Sequence, residues 1–286
     1  MPRSNQSRGK KLKRLRSIIR GYGSLVVAYS GGVDSAYLMS VAHDMLGENA
    51  IAVTAKSPSL PASELADATA LAEKLGWRHR IIETQEVSDP RYAVNDARRC
   101  YFCKSNLYAR LAELFPSDEW PAIANGTNVD DLGDYRPGLD AASERRVNSP
   151  LVDAGLTKAD IRSLSKDAGL PTWDKPAQAC LASRVPYGTP VTIETLSRIE
   201  AAEEALKDLG LRQLRVRHHG KTARIEVPEE DLAALIVPET RNEVVKRLRK
   251  IGYTYVTLDL AGYRSGSLNE VLPGSSAASS VPSGAP

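Results

Sequence analysis

The sequence predicts an α/β protein with a parallel sheet, followed by a second, smaller α/β unit. Three observations carry this. From residue 24 to residue 128, short apolar runs alternate with segments of helical periodicity. Such alternation implies a parallel sheet covered on both faces. Between residues 150 and 190 the rhythm breaks into a Pro-rich stretch, and a new set of strands and helices follows. The expected division is 1–175, 176–270 and a small, polar tail, 271–286, whose composition predicts disorder.

The elements follow in order. Leu12, Leu15, Ile18 and Ile19 recur at helical spacing among basic residues, so the chain starts with an amphipathic helix. Its basic face reads as solvated in preference to an RNA-binding arm. "SLVVAYS" (24–30) is a buried strand running into a glycine turn, and residues 34–46 form the next helix. Residues 50–57 are a strand, 61–76 a helix opened by Pro and closed by Gly, and 78–84 a strand. Residues 103–115 read as helix, 121–128 as a strand entering another Gly/Asn turn, and the region from 149 to 171 as one helix closed by Gly169 and Pro171. "TWDKPAQACLASRVPYGTP" is a loop long enough to be functional. A helix over 191–210 then buries Leu196, Ile199, Leu206 and Leu209. "LRQLRVRH", "TARIEVP", the helix "TRNEVVKRLRKIG" and "YTYVTLDL" make up the second unit.

Composition excludes some classes. The 286 residues are 42% hydrophobic and 26% charged, as in soluble globular proteins. No apolar run approaches the ~20 residues of a membrane span, and the N-terminal stretch lacks the apolar segment of a secretory signal. A net charge of +3 does not by itself indicate nucleic acid. Three cysteines, an odd number, argue against a disulfide framework and for a reducing, cytoplasmic setting.

"SGGVDS" (30–35) is neither a Walker A loop nor GxGxxG, but its physics is related. Gly31 and Gly32 let backbone N–H groups converge on an anion, while Ser30 and Ser35 add hydroxyls. The following helix adds the positive end of its dipole. Asp34 would repel phosphate unless Mg²⁺ lay between them. Strand, "SGGVDS" and helix at the front of an α/β domain resemble the PP-loop ATP pyrophosphatases, which include NAD and GMP synthetases and tRNA thiolases. The resemblance implies a Rossmann-like adenylating domain over 1–175, with ATP across the strand ends and its triphosphate in the turn. A substrate oxygen would attack the α-phosphorus and pyrophosphate would leave. "NGTNVDD" (125–131) follows a strand of the same sheet, so its turn is expected along the same edge. There Gly126 can approach the nucleotide and Asp130 or Asp131 can help hold Mg²⁺, unless these acids merely cap a polar turn.

An adenylate needs a nucleophile to displace AMP, which brings in the cysteines. Cys100 and Cys103 form CxxC at a loop-to-helix junction, where the dipole favours thiolate; Cys180 lies in the Pro-rich loop. Incidental thiols, a zinc site, a redox dithiol and three ligands of a 4Fe-4S cluster are the four readings, and the cluster uses every cysteine. "ARRCYFCKSNLY", "NGTNVDDLGDYRPG", "KPAQACLASRVPYG", "RVRHHGKTARIEV" and "LDLAGYRSGSLNE" together resemble the LarE family of ATP-dependent sulfur transferases, from about residue 12 to 270. The resemblance implies pyridinium-3,5-biscarboxylic acid mononucleotide as substrate, thiocarboxylates as product, a hexamer, and Cys180 as a functional cysteine. Some family members sacrifice that cysteine's own sulfur; the added Cys100 and Cys103 favour the cluster-bearing variant.

A substrate with a phosphate and two carboxylates calls for cations in the second unit. Arg215 and Arg217, two apart on a strand, share one face, with Leu214 and Val216 toward the core. Arg184 and Arg264 are further candidates, suited like them to bidentate contacts. Glu200, Glu203 and Glu204 read as a solvated helix face, with metal binding by Glu204 as the alternative. A tRNA thiolase and a non-catalytic nucleotide-binding protein are the competing functions.

Overall fold

The computed structural model describes residues 2–133, 137–176, 178–264 and 266–271, with side chains from residue 7. Residues 272–286, most of the expected tail, lie outside these. By contacts the chain divides into two units. One comprises the residues up to Tyr92 together with Arg98–Gln178; the other comprises Ala93–Ala97 and the residues from Ala179 onward.

In the first unit, helix α1 (Pro2–Tyr22) precedes β1 (Leu25–Ala28), α2 (Val33–Leu46), β2 (Ala50–Lys56), α3 (Ala62–Lys74) and β3 (His79–Glu83). After one helical turn, α4 (Pro90–Ala93), come α5 (Arg99–Leu114), β4 (Ile123–Ala124), α6 (Pro137–Glu144), α7 (Pro150–Asp153) and α8 (Lys158–Asp167). The strands are parallel in the order β3-β2-β1-β4. The chain therefore reverses direction across the sheet between β1 and β4, and ligands of open α/β sheets bind at such a reversal, beyond the strands' carboxyl ends. The α1 stripe is core. Leu15 and Ile19 are fully buried, with Leu12 and Ile18 packed beside them, each full burial contributing about 1.5–3 kcal/mol.

The second unit holds α9 (Ile193–Lys207), β5 (Arg215–His219), β6 (Thr222–Glu226), α10 (Glu229–Ile236), α11 (Pro238–Ile251) and β7 (Tyr255–Leu258). β5 and β6 are antiparallel, pairing Arg215 with Glu226 and Arg217 with Arg224; β7 lies parallel to β6. Leu206, Val216, Ile225 and Leu248 centre its core.

Several expectations need correction. The region read as one helix, 149–171, holds two, because Gly155 takes φ +73° after α7 and Thr157 starts α8 with a reciprocal cap to Asp160. The strand expected over 121–128 pairs only at Ile123 and Ala124. Helix α5 begins four residues early, at Arg99, so both of its cysteines are helical. α6 and α10 were not foreseen, since each is only two turns long. The face of β5 expected to be open is not: Arg215 and Arg217 are as buried as Leu214 and Val216.

Candidate active site

The reversal point of the sheet is lined by the turns after β1 and β4, and they touch. A Cβ on Gly126 would lie 2.8 Å from the Ser35 amide nitrogen and 3.1 Å from its Cα. Only glycine lets the β4 turn close against the start of α2. The two glycines of "SGGVDS" differ in role. Gly31 has φ +72° and an added Cβ would strike the Ala68 Cβ at 2.8 Å, so the fold itself requires it. Gly32 has φ −79°, and a Cβ there would meet nothing among the described residues closer than the Ser30 hydroxyl at 3.4 Å. Its missing side chain serves no packing; it leaves space.

That space is built for an anion. Gly32 caps α2 without a side-chain hydrogen bond, so the first amides of the helix keep their donors. Ser35 Oγ receives the Ser30 amide at 3.1 Å and lies 3.1 Å from Ser30 Oγ, which fixes the turn. Asp34 sits in the first helical turn, half-buried, and its Oδ2 accepts from Lys158 Nζ at 2.5 Å. Its Oδ1 is buried with no hydrogen-bond partner among the described residues. Burial raises the Asp34 pKa, and Lys158 opposes the rise. Lys158 also donates its backbone N–H to Asp130 Oδ2 at 2.8 Å, so one residue ties together two of the three acids singled out for Mg²⁺. Asp131 instead accepts from the Asn128 amide at 3.0 Å.

The sequence reading missed Lys158 and Lys175. A cleft of about 430 Å³ beside Gly31 is walled by α3 (Asp67, Leu71, Lys74), Thr172 and Lys175, whose Nζ bridges Glu64 at 2.8 Å and Asp67 at 3.2 Å. Lysine at the start of one helix and before a Pro carries no local signal; only the fold brings these ammonium groups to the turn. Replacing Lys158 by Met removes an influence that lowers the Asp34 pKa. The acid limb of pyrophosphate release should therefore move to higher pH, as a pH–rate profile would show; an unmoved limb would separate Asp34 from the reaction.

The cysteines are all thiols, none in a disulfide. Cys100 and Cys103 stand one turn apart at the start of α5, the first exposed and the second half-buried. The Arg98 guanidinium lies over Tyr101 and Phe102 between them, at 4.8 and 5.6 Å from the ring centres. Cys180, exposed, caps a 3-10 turn, Leu181–Arg184, in the second unit. Among the described residues, no three His, Cys, Asp or Glu side chains already converge as metal ligands.

Two of the four candidate arginines are engaged by the Cys180 segment itself. Arg184 is buried in a two-pronged pair with Glu203 (2.8 and 3.1 Å) and donates to the carbonyls of Ala179 (2.6 Å) and Cys180 (3.1 Å). Arg217 pairs likewise with Glu226 (2.9 and 2.8 Å) and donates to the Ser183 carbonyl at 2.6 Å. Arg264 is exposed and paired with Glu270 at 3.1 Å. Arg215 differs. Its guanidinium stacks on the Tyr263 ring at 4.7 Å and donates to the Tyr263 hydroxyl at 3.0 Å, with no carboxylate in ion-pair range among the described residues. Burial, then the neighbouring Arg184 and Arg217, lower its pKa against the opposing influence of Tyr263. Glu203 was wrongly placed on a solvated face. It follows Ile199 by four and precedes Leu206 by three, on the buried stripe of α9, and only Glu204 of the three is exposed.

The family model for NAD synthase matches residues 11–115. An uncharacterized protein of Synechocystis is 46% identical over 92% of this chain and 98% of its own length. The pyridinium-3,5-bisthiocarboxylic acid mononucleotide synthase of Lactiplantibacillus plantarum is 37% identical over 92% of this chain and 95% of its own. The chain belongs to the LarE family. Membership in LarE joins the PP-loop front of the chain to the Cys180 and Arg215 segments, since the aligned length takes in both. The NH3-dependent NAD synthetase of Chlorobaculum tepidum, 29% identical, covers only 58% of the chain. Among the described residues no helix is long and apolar enough to cross a membrane.

Proposed function

We propose that the chain is an ATP-dependent sulfur transferase that adenylates carboxylates of pyridinium-3,5-biscarboxylic acid mononucleotide and converts them to thiocarboxylates. The observation that carries the ATP step is Gly32, a glycine the fold does not need at the mouth of an uncapped helix. A triphosphate there would meet the α2 amides, the Ser30 hydroxyl and Lys158. The orphaned Asp34 Oδ1 suits a hard cation, so Mg²⁺ would be held by Asp34, with Asp130 beside it, and would neutralise phosphate charge. A substrate carboxylate oxygen forms a bond to the α-phosphorus as pyrophosphate leaves. A sulfur nucleophile then bonds to the acyl carbon and AMP departs, with no change of oxidation state.

Arg215 is the group we assign to the substrate phosphate. Arg184 and Arg217 pair with Glu203 and Glu226, so of these three buried arginines Arg215 is the one with no carboxylate partner among the described residues. Arg215→Gln should weaken mononucleotide binding at least ~10-fold, a charge-assisted hydrogen bond contributing about 1.5–3 kcal/mol, and leave ATP binding unchanged. Arg217→Gln should instead lower stability by about 1.5–3 kcal/mol, because buried Glu226 loses its two-pronged partner and keeps, among the described residues, only Arg224, at 3.1 Å. Calorimetric titration and thermal melts distinguish the two; equal behaviour of both variants would contradict the division.

For the sulfur step, the donor chemistry fits a 4Fe-4S cluster. Two thiols one turn apart share a helix face, Arg98, Arg99 and Lys104 flank them in the sequence, and Cys180 supplies a third. Bound by Cys100, Cys103 and Cys180, such a cluster would offer one open iron for sulfide. Thiols kept reduced for this purpose fit the cytoplasm. The test is pyrophosphate release on adding the mononucleotide, with and without RNase. Release that needs the mononucleotide supports the reading; release that needs RNA would transfer it to the tRNA thiolases.

A further inference from the structure

The five residues 93–97, just before the CxxC helix, group with a different unit from that helix. Ala93–Ala97 belong by contact to the second unit, although the chain on either side belongs to the first. At their centre Asn95 is fully buried and holds φ +59°, left-handed backbone that few non-glycine residues adopt. Its side-chain amide donates to the carbonyls of Pro186 and Thr189, both at 2.8 Å, and more distantly to that of Val185 at 3.4 Å. The backbone adds two more links, Gly188 N–H to the Asn95 carbonyl (3.0 Å) and Val191 N–H to the Ala93 carbonyl (2.9 Å). Asparagine suits the place doubly: it tolerates the left-handed region, and its two N–H groups match the cluster of carbonyls.

The joined segments are the ones that carry the thiols. Cys100 lies five residues after Asn95, and Cys180 five residues before Val185. A stretch of five residues spans at most ~18 Å. The strap therefore limits how far each cysteine can stray from one common point.

We propose that Asn95 is a positioning residue for sulfur transfer: by clamping 93–97 onto 185–191 it registers the run-up to Cys100 and Cys103 against the segment that follows Cys180. The inference rests on the three-cysteine reading above, and nothing in it involves the ATP turn. Asn95→Asp keeps the shape and the tolerance of φ but turns a carboxylate toward carbonyl oxygens. Asn95→Gly keeps the backbone and removes only the amide, which leaves buried acceptors unsatisfied.

The experiment treats metal-free protein with a short bis-maleimide, which adds to two thiols, and maps peptides joining Cys180 to Cys100 or Cys103. Iron content and the visible spectrum after anaerobic reconstitution, and ATP-dependent adenylation, are read on the same samples. Wild-type protein should cross-link and take up iron. Both variants should cross-link and load iron at least ~10-fold less, with adenylation within about twofold of wild type, a split that general loss of fold would not produce. Should Asn95→Gly adenylate, cross-link and load iron like wild type, Asn95 does not position the thiols. Loss of adenylation in parallel with the other readouts in both variants would also overturn the assignment, leaving Asn95 a stability residue. If wild-type protein itself yields no cross-link to Cys180, the three-cysteine reading falls, and the inference with it.

Discussion

Alanine at Cys100, Cys103 or Cys180 is expected to strip iron and stop sulfur transfer in each case, while ATP-dependent adenylation continues. Three thiolates are the fewest that hold a cubane with one open iron, so the losses should be total and equal. Adenylation should survive because the phosphate turn, Gly126 and Lys158 lie in a different set of elements from the cysteines: the ends of β1 and β4 and the start of α8, against α5 and the Cys180 segment. Iron analysis, product formation and pyrophosphate release on the three variants check this. If Cys180 gives its own sulfur, the pattern changes. Cys180→Ala alone would be dead, Cys100→Ala and Cys103→Ala would be active, and wild-type chains would lose one cysteine sulfur per turnover. Dehydroalanine at position 180 in used enzyme would overturn the cluster reading.

The second large effect is expected at Gly126. Valine there must put a Cβ 2.8 Å from the Ser35 nitrogen, a contact with backbone that no side-chain rotation relieves. Either the turn after β4 or the first turn of α2 has to move. A displacement of even an ångström between catalytic groups and substrate costs about 100-fold, so pyrophosphate release should drop at least that much in Gly126→Val. Asp34→Ala should lose adenylation to a similar degree by removing the half-buried carboxylate beside Lys158, without the steric push. Near-wild-type release from both variants would mean that ATP does not bind between these turns.

The sequence made the sheet legible because each of β1, β2 and β3 is an apolar run bounded by punctuation, and because "SGGVDS" follows the first of them. It did not distinguish Gly31 from Gly32, since φ +72° and the approach of Ala68 are properties of the packed α3. Arg184 and Arg217 looked like substrate ligands because arginine on a strand or loop has no visible partner in one dimension. Their partners, Glu203 and Glu226, arrive from α9 and β6, 19 and 9 residues away. Glu203 could have been found: the 3.6-residue period places it with Ile199 and Leu206, and an acid on an apolar stripe announces a buried cation. Asn95 could not, because its role depends on a left-handed backbone and on carbonyls some 90 residues on.

Mass spectrometry of the small-molecule product tests the central claim most directly. Protein reconstituted anaerobically would be given ATP, Mg²⁺, sulfide and pyridinium-3,5-biscarboxylic acid mononucleotide. The account predicts exchange of carboxylate oxygen for sulfur, one AMP and one pyrophosphate per exchange, and more product molecules than protein chains. Pyrophosphate release with no sulfur in the mononucleotide, or no release at all in its presence, would contradict it.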